Sequence, residues 1–273
     1  MAVLKPAVSV ATKITASPLF PFSAAGAGTV APSDAYRSLQ TATLRPVSGP
    51  TAPQPVTALL TDAPADLPLL DVDFCGECVP FDQSGVADRW KRVFTLFRSR
   101  SRHLGDLPQR ADQFFAVIDP ILKKYDIPAD FRYVPLAESG LRPKAVSRAG
   151  AAGYWQLMPT TARALGLRVT GRTDERFNVL KATEAACQYL RKLYDQLGSW
   201  SLVAAAYNAG PSLLLSRLKS ADHRDYYRMS LPRETMYYLF RVLFYKEMLQ
   251  RPDDYSPFFT PTPATPSALS ALG

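Results

Sequence analysis

The segment NVLKATEAACQYLRKLYDQLG, residues 178–198, decides the fold class of this chain. Its apolar residues recur at steps of three and one, which places them on one face of an α-helix. This face comprises Ala186, Tyr189, Leu190, Leu193, Tyr194 and Leu197. Asn178 favours the start of a helix and Gly198 favours its end. The spacing therefore predicts a long amphipathic helix with one buried stripe.

The same periodicity extends over residues 86–250, where no stretch alternates convincingly between apolar and polar side chains with a period of two. The first predicted helix has its apolar face at Val86, Trp90, Val93, Phe94 and Phe97. The second has its apolar face at Phe114, Val117, Ile118, Ile121, Leu122 and Tyr125. The sequence therefore predicts an all-α protein.

Capping residues and prolines mark further helices. They are predicted at residues 131–139, 159–166 and 201–210, followed by a last long helix that begins around Pro232. We expect Asp130 to cap the first of these and Gly140 to end it, and Ser199 or Ser201 to start the third. Pro159 suits the first turn of the second, where its missing N–H costs no hydrogen bond.

The two ends of the chain differ from the middle. Residues 1–68 hold ten of the 24 prolines, and residues 252–273 hold five. We expect a disordered Pro- and Ala-rich leader at the first end and a flexible tail at the second. Residues 14–33 are uncharged but are interrupted by prolines, which exclude a membrane-spanning helix. A weak signal sequence and a disordered leader both remain open.

The charge is concentrated in the middle of the chain. The 273 residues carry a net charge of +8, and residues 69–251 alone hold 28 basic and 19 acidic side chains, a surplus of nine. Such a surplus favours an anionic partner, which could be nucleic acid, a lipid surface or an acidic polymer. The chain has no zinc-finger or RNA-binding sheet motif, so we expect no nucleic-acid partner.

Cysteine and histidine are scarce. Cys75 and Cys78 form a C-x-x-C pair, Cys187 stands alone, and the histidines are His103 and His223. Their spacing does not complete a zinc site, so we expect no metal and no cofactor. The C-x-x-C pair is either bridged, as in an exported protein, or partly buried as two small apolar residues, and we prefer the second interpretation.

Glu138 is the candidate catalytic residue. The segment YVPLAESG, residues 133–140, places it in an apolar context at the last turn of a short helix. Desolvation and the negative end of the helix dipole both disfavour its charged form, so its pKa should be raised. A carboxyl group that is protonated near neutral pH suits a general acid. The alternative is an ion pair with an arginine, namely Arg132, Arg142 or Arg148.

Four blocks of sequence carry a resemblance to a known family. They are residues 138–147 (ESGLRPKAVS), 150–159 (GAAGYWQLMP), 205–211 (AAYNAGP) and 231–238 (LPRETMYY). In this order and spacing they resemble the catalytic domain of family 1 lytic transglycosylases, which is the soluble lytic transglycosylase domain of glycoside hydrolase family 23. Within that family the resemblance is strongest to the membrane-bound murein transglycosylase D type.

The resemblance implies a lysozyme-like helical domain whose cleft binds peptidoglycan glycan strands. Glu138 would protonate the glycosidic oxygen and then accept the proton of the muramoyl 6-hydroxyl, which leaves a 1,6-anhydromuramoyl end. One carboxyl group suffices because the substrate's acetamido group replaces the second acid of ordinary glycosidases. The substrate-binding residues implied are Ser147, Tyr154, Gln156, Met158, Tyr207, Asn208 and Tyr238, the last with its hydroxyl near the acid.

The expected organisation is a leader (1–68), a helical N-terminal segment (69–129), a lytic transglycosylase catalytic domain (130–251) and the tail (252–273). A monomer in the periplasm or outside the cell is expected from the substrate, and the sequence gives no support for a membrane anchor. Two alternatives stay open. One is a hydrolysing muramidase of goose-lysozyme type, and the other is an inactive glycan-binding protein.

The muramidase alternative would use Asp174 or Glu175 as a second acid. We interpret these two residues instead as solvated or helix-capping side chains.

Overall fold

The computed structural model describes residue 67 and residues 71–98 and 105–259. The elements of these ranges are β1 (Asp73–Phe74), β2 (Glu77–Cys78), α1 (Val86–Arg98), α2 (Leu107–Lys124), a 3-10 helix (Ala129–Tyr133), α3 (Val134–Ser139), α4 (Pro159–Ala164), a second 3-10 helix (Glu175–Phe177), α5 (Val179–Leu197), α6 (Trp200–Ala209), α7 (Pro211–Lys219), α8 (Arg233–Gln250) and α9 (Pro252–Phe259). The all-α class is confirmed, apart from the two-residue strands. Residues 1–66, with the predicted leader, lie outside the described residues. No helix in the described part of the chain is long and apolar enough to cross a membrane.

The long amphipathic helix forms as its pattern predicts. In α5 the Asn178 side chain accepts a hydrogen bond from the Lys181 N–H, and Gly198 ends the helix in the left-handed conformation. Ser199 caps α6 by accepting from the Leu202 N–H. On α2 the predicted face is too wide, because Val117 is 40% exposed.

The short helix that carries Glu138 is divided into a 3-10 turn and α3. Pro135 occupies the first turn of α3, where the helix loses no hydrogen bond, and Gly140 ends it at φ 59°. The prediction that Asp130 caps this helix is wrong. Its carboxylate instead accepts from the Cys75 N–H at 2.7 Å and from Lys246 Nζ at 2.8 Å, because the N-terminal segment folds back onto it.

Helix α8 is the centre of the core. Its Leu239, Phe240, Val242, Leu243 and Phe244 are fully buried. Phe94 of α1 packs edge-on to Phe244 at 5.0 Å between ring centroids, and Trp90 lies 6.4 Å from Phe240. Residues of the predicted N-terminal segment thus share one continuous core with the predicted catalytic domain.

The β-hairpin was not predicted. Its two strands pair Asp73 with Cys78 and Phe74 with Glu77. The Glu77 carboxylate accepts hydrogen bonds at the start of α6, from the backbone N–H of Trp200 at 2.6 Å and of Ser201 at 3.0 Å. The hairpin therefore supplies a helix cap from outside the helix's own sequence.

The thiols of Cys75 and Cys78 are free, so the structure does not contain the alternative bridge. Cys75 is half-buried, as the preferred interpretation has it, and desolvation raises its pKa strongly. Cys78 is exposed, which differs from that interpretation.

The chain after residue 251 begins with a helix where we expected a flexible tail. In α9 Tyr255 is fully buried, lies 5.0 Å from the ring of Phe94 and donates to Glu247 Oε2 at 2.9 Å. The expectation is wrong for residues 252–259, since one buried aromatic side chain anchors the helix. Residues 260–273 lie outside the described residues.

Candidate active site

Glu138 lies at the end of α3, against helix α8. The Tyr238 hydroxyl of α8 donates a hydrogen bond to Glu138 Oε1 at 2.6 Å. Burial first, and the neighbouring carboxylate second, hold the pKa of Tyr238 well above its usual range, so the phenol stays protonated and is the donor. Tyr238 is fully buried and Glu138 is partly exposed. The buried hydroxyl of Tyr238 therefore donates a hydrogen bond to the carboxyl group of Glu138, which solvent can still reach in part.

The pKa of Glu138 is raised to about 7. Desolvation is the main cause, and the negative charge of Glu234 adds to it. The hydrogen bond from Tyr238 and the positive charge of Arg241 act in the opposite direction, because both favour the carboxylate. Near neutral pH the group is thus poised to give and to take a proton.

The arginine alternative has little support in the structure. Arg132 pairs with Asp119 at 3.1 Å, and Arg142 Nε donates to the Ser139 carbonyl at 3.0 Å. The guanidinium groups of Arg132 and Arg142 thus interact with groups other than Glu138, whereas the carboxyl group of Glu138 accepts a hydrogen bond from the Tyr238 hydroxyl.

Glu234 is a charged neighbour of Glu138 that the sequence analysis did not single out. It lies in the first turn of α8, four residues before Tyr238, and therefore on the same face of the helix. Asn208 Nδ2 lies 3.5 Å from Glu234 Oε1, at the far end of α6. The four-residue spacing within the block 231–238 was the signal that could have revealed it. The structure places Asn208 beside this second carboxylate.

The loop between α3 and α4 contains two predicted site residues that also hold its shape. Ser147 Oγ accepts from the Ala151 N–H at 3.0 Å. Gln156 Nε2 donates to the carbonyls of Ala145 at 3.2 Å and of Gly153 at 2.8 Å. Both hydrogen bonds of Gln156 close the loop on itself, so its amide N–H groups are already engaged.

The side chain of Arg176 forms hydrogen bonds with the backbone of this loop. Its buried guanidinium donates to the carbonyls of Gly150 at 2.6 Å and of Leu157 at 2.9 Å, and it pairs with Asp174 at 2.7 Å. Gly153 lies so close to this segment that a Cβ atom there would be 2.1 Å from the Arg176 carbonyl oxygen. These contacts restrain the loop against the segment that follows α4.

Tyr207 is tied to the same loop. Its hydroxyl donates to the Trp155 carbonyl at 2.6 Å, and Trp155 is buried with its indole N–H donating to Thr183 Oγ1 at 2.9 Å. Burial, followed by the charge of Glu138, raises the pKa of Tyr207 well above its usual range. Tyr207 thus lies within electrostatic reach of the acid.

The remaining predicted site residues line neighbouring parts of the loop. The Tyr154 ring packs at 4.6 Å from Phe114 of α2, and Met158 precedes α4 and is partly exposed. The structure records no contact between either side chain and Glu138.

Asp174 and Glu175 are both engaged in ion pairs. Asp174 accepts from the Arg176 N–H as the cap of the second 3-10 helix, which confirms the capping interpretation. Glu175 is only 8% exposed and is therefore not solvated. Hydrogen bonds from Lys181 and Arg168 lower the pKa of Glu175 to about 2. A carboxyl group held charged in this way is a poor partner for proton transfer.

No group of three or more metal-binding side chains occurs among the described residues.

Comparison with known proteins shows what the chain is similar to. Residues 117–230 match the model of the Transglycosylase SLT domain. The chain is 33% identical to the membrane-bound lytic murein transglycosylase D of Escherichia coli over 175 residues, which are 62% of this chain and 38% of that protein. It is 41% identical to the peptidoglycan transglycosylase gp16 of Escherichia phage T7 over 92 residues, 33% of this chain and 7% of that protein.

Among solved structures, an inactive mutant of lytic transglycosylase Slt from Pseudomonas aeruginosa matches with a TM-score of 0.40 at 23% identity, over 54% of this chain and 25% of that one. The chain thus spans less than two fifths of the length of each of these relatives.

Proposed function

We propose that this protein is a peptidoglycan lytic transglycosylase. It would cleave the β-1,4 bond between N-acetylmuramic acid and N-acetylglucosamine and leave 1,6-anhydromuramoyl ends. The observation that carries this proposal is Glu138, a carboxyl group with a pKa of about 7 that accepts a 2.6 Å hydrogen bond from Tyr238. Glu138 itself lies within residues 117–230, which match the SLT domain.

The proposed reaction uses Glu138 twice. As an acid it donates its proton to the glycosidic oxygen while the bond from that oxygen to C1 breaks. As a carboxylate it then accepts the proton of the muramoyl 6-hydroxyl while the oxygen of that hydroxyl bonds to C1. The residue ends in the state in which it began, and no water is consumed. A pKa near 7 suits both steps, because neither protonation state is strongly disfavoured.

In ordinary glycosidases two carboxyl groups flank the glycosidic bond that is cleaved. Asp174 and Glu175, the candidates for a second acid in a hydrolysing muramidase, are held in ion pairs. Glu234 lies nearer, but it shares the hydrogen-bond network of Asn208 and raises the pKa of Glu138. This arrangement favours one proton-transfer group over two.

We also propose that Ser147, Tyr154, Gln156, Met158, Tyr207, Asn208 and Tyr238 contact the glycan strand or hold the groups that do. Because the amide N–H groups of Gln156 already close the loop, its Oε1 is the atom that would accept from a sugar hydroxyl. A peptidoglycan substrate implies that the protein acts in the periplasm or outside the cell. We propose separately that it acts as a monomer.

The test is digestion of purified peptidoglycan followed by mass spectrometry of the fragments. We expect 1,6-anhydromuramoyl ends from the wild type and none from Glu138→Gln, whose amide has a similar shape but cannot donate and recover the proton. Glu184→Gln, an exposed change on α5, is the matched control and should retain activity.

Reducing muramoyl ends without anhydro ends would instead support a muramidase. Binding without any fragments from the wild type would support an inactive glycan-binding protein.

A further inference from the structure

The hairpin of β1 and β2 contacts three segments that carry parts of the site at Glu138. These segments are the 3-10 turn that leads into α3, helix α6 and helix α8. The hairpin lies before residue 117, where the match to the SLT domain begins. The short stretch 73–78 thus holds together parts of the chain that lie far apart in sequence.

The first contact is with the start of helix α6. The Glu77 carboxylate accepts from the backbone N–H groups of Trp200 at 2.6 Å and of Ser201 at 3.0 Å, and from the Ser199 hydroxyl at 3.0 Å. The first N–H groups of a helix find no acceptor inside the helix, and α6 has no acidic residue in its own first turn. Glu77 therefore supplies both the acceptors and the negative charge that the start of α6 favours.

Helix α6 connects this contact to the site. Its residues 200–206 are buried, and its last turn carries Tyr207 and Asn208. Tyr207 donates to the Trp155 carbonyl at 2.6 Å, and Asn208 lies beside the carboxylate of α8. A helix of this length spans about 15 Å. The hairpin therefore holds one end of a buried helix whose other end lies at the site.

The second contact joins the hairpin to α8 and to the 3-10 turn. Lys246 of α8 donates to the backbone carbonyl of Asp73 at 2.8 Å and to its carboxylate at 3.2 Å. The same ammonium group donates to Asp130 Oδ2 at 2.8 Å, and this carboxylate also accepts from the Cys75 N–H at 2.7 Å. Lys246 is only 6% exposed, so these charge-assisted hydrogen bonds are largely shielded from water. The hairpin thus links α8 to the segment that leads into α3.

We infer that Asp73 and Glu77 are positioning residues for the reaction proposed above. The inference rests on the proposed function, because proton transfer requires the reacting groups to be held at fixed distances. Neither side chain contacts Glu138 itself in the described part of the chain, so both would act through the helices that they hold. Glu77 would set the position of α6, and Asp73 that of α8 relative to the turn before α3. Residues before the SLT match would then contribute to the rate of the reaction.

The test compares variants of the full chain. The double variant Asp73→Ala/Glu77→Ala removes both carboxylates of the hairpin. Its matched control, Asp82→Ala/Asp112→Ala, removes the same charge at two exposed positions outside the hairpin. Tyr255→Phe is a second control, because it loses a buried hydrogen bond between α9 and α8 and leaves the hairpin unchanged. Each protein is assayed well below its melting temperature, so that the comparison concerns folded molecules.

We expect the double variant to have a kcat for the release of anhydro ends at least about tenfold below that of the wild type, since a displacement of about 1 Å can cost about a hundredfold. Both controls should keep the wild-type kcat. The pKa of Glu138, followed by carbon-13 NMR, should rise in the double variant only, because a displaced Tyr238 no longer stabilises the carboxylate. A lower melting temperature with an unchanged kcat and an unchanged pKa would overturn the inference, since the hairpin would then act on stability alone.

A milder variant covers the case in which the double variant does not fold. Glu77→Ala keeps the contacts of Asp73 and should lower kcat less than the double variant, and a wild-type kcat in Glu77→Ala would overturn the role of Glu77. The NMR titration separates this inference from the proposed function. If the wild type releases no anhydro ends, the proposed function fails, whereas an unchanged pKa of Glu138 in the double variant overturns the inference about the hairpin.

Discussion

Replacing Tyr238 with Phe removes one hydrogen bond from the carboxyl group of Glu138, the proposed acid, and little else. The hydroxyl of Tyr238 donates to Glu138 Oε1 at 2.6 Å, and the ring around it is fully buried, so Phe keeps the packing. A hydrogen bond to the charged form of a carboxyl stabilises that form and lowers the pKa. The pKa of Glu138, about 7 in the intact site, should therefore rise in the variant.

The size of the shift follows from the strength of that bond. Hydrogen bonds to charged groups contribute about 1.5–3 kcal/mol. Since 1.36 kcal/mol corresponds to one pKa unit, the pKa of Glu138 should rise by roughly one to two units. The acid step needs the protonated form, so activity should fall on the alkaline side of the pH profile, and this limb should move upward by the same amount in the Tyr238→Phe variant.

The assay is the rate of release of anhydro ends across the neutral and alkaline pH range, with a direct titration of Glu138 by carbon-13 NMR of glutamate-labelled protein. Tyr194→Phe is the control, because Tyr194 stacks on Trp200 at 4.0 Å, in a different part of the core. An alkaline limb that stays in place or moves to lower pH in Tyr238→Phe would refute the assigned direction of the hydrogen bond.

Three further changes test other contacts. Glu234→Gln removes a negative charge and should lower the pKa of Glu138, the proposed acid, by up to about one unit. The alkaline limb of the pH profile should then lie at lower pH, and a shift to higher pH would contradict the prediction. Gly153→Ala should lower the free energy of unfolding in urea by at least about 2 kcal/mol, because the new Cβ atom would clash with the Arg176 carbonyl oxygen. The control is Gly171→Ala, where a Cβ atom would meet open space, so its free energy of unfolding should fall far less. Glu77→Gln should weaken the cap of α6 and lower the free energy of unfolding by about 1–2 kcal/mol; equal stability would show that the amide caps as well as the carboxylate.

The helices were predictable because each contains its own signal. In α5 the apolar period, the Asn178 cap and the Gly198 stop all lie within the segment that they shape. The β-hairpin gave no such signal, because strands of two residues are too short for an alternating pattern. Helix α9 was missed for a related reason, since it depends on Tyr255 packing against Phe94, about 160 residues away along the chain.

The site was predictable only in part. The raised pKa of Glu138 comes mainly from desolvation, and the apolar residues around it in the sequence indicate that burial. Its contact with Tyr238 spans 100 residues and came only from the family resemblance. The place of Glu234 in the network follows from which face of α8 meets α3. The residue spacing shows which side chains of α8 share a face, but it does not show which face packs against α3.

The geometry of the acid depends on two contacts between α8 and the segment that leads into α3. Tyr238 contacts Glu138, and Lys246 contacts Asp130 at 2.8 Å. Lys246 follows Tyr238 by eight residues on α8, and Asp130 precedes Glu138 by eight. Helix α8 and the segment 130–138 therefore run in opposite directions. One contact holds them together at each end of the stretch that they share. Lys246 also donates to Asp73 of the hairpin at 3.2 Å, so the chain before the SLT match helps to fix this second point. A rotation of α8 by one residue would turn Tyr238 away by about 100° and separate both contacts at once. The position of the Tyr238 hydroxyl relative to the carboxyl group of Glu138 is therefore set by the Lys246–Asp130 ion pair as well as by the Tyr238–Glu138 hydrogen bond.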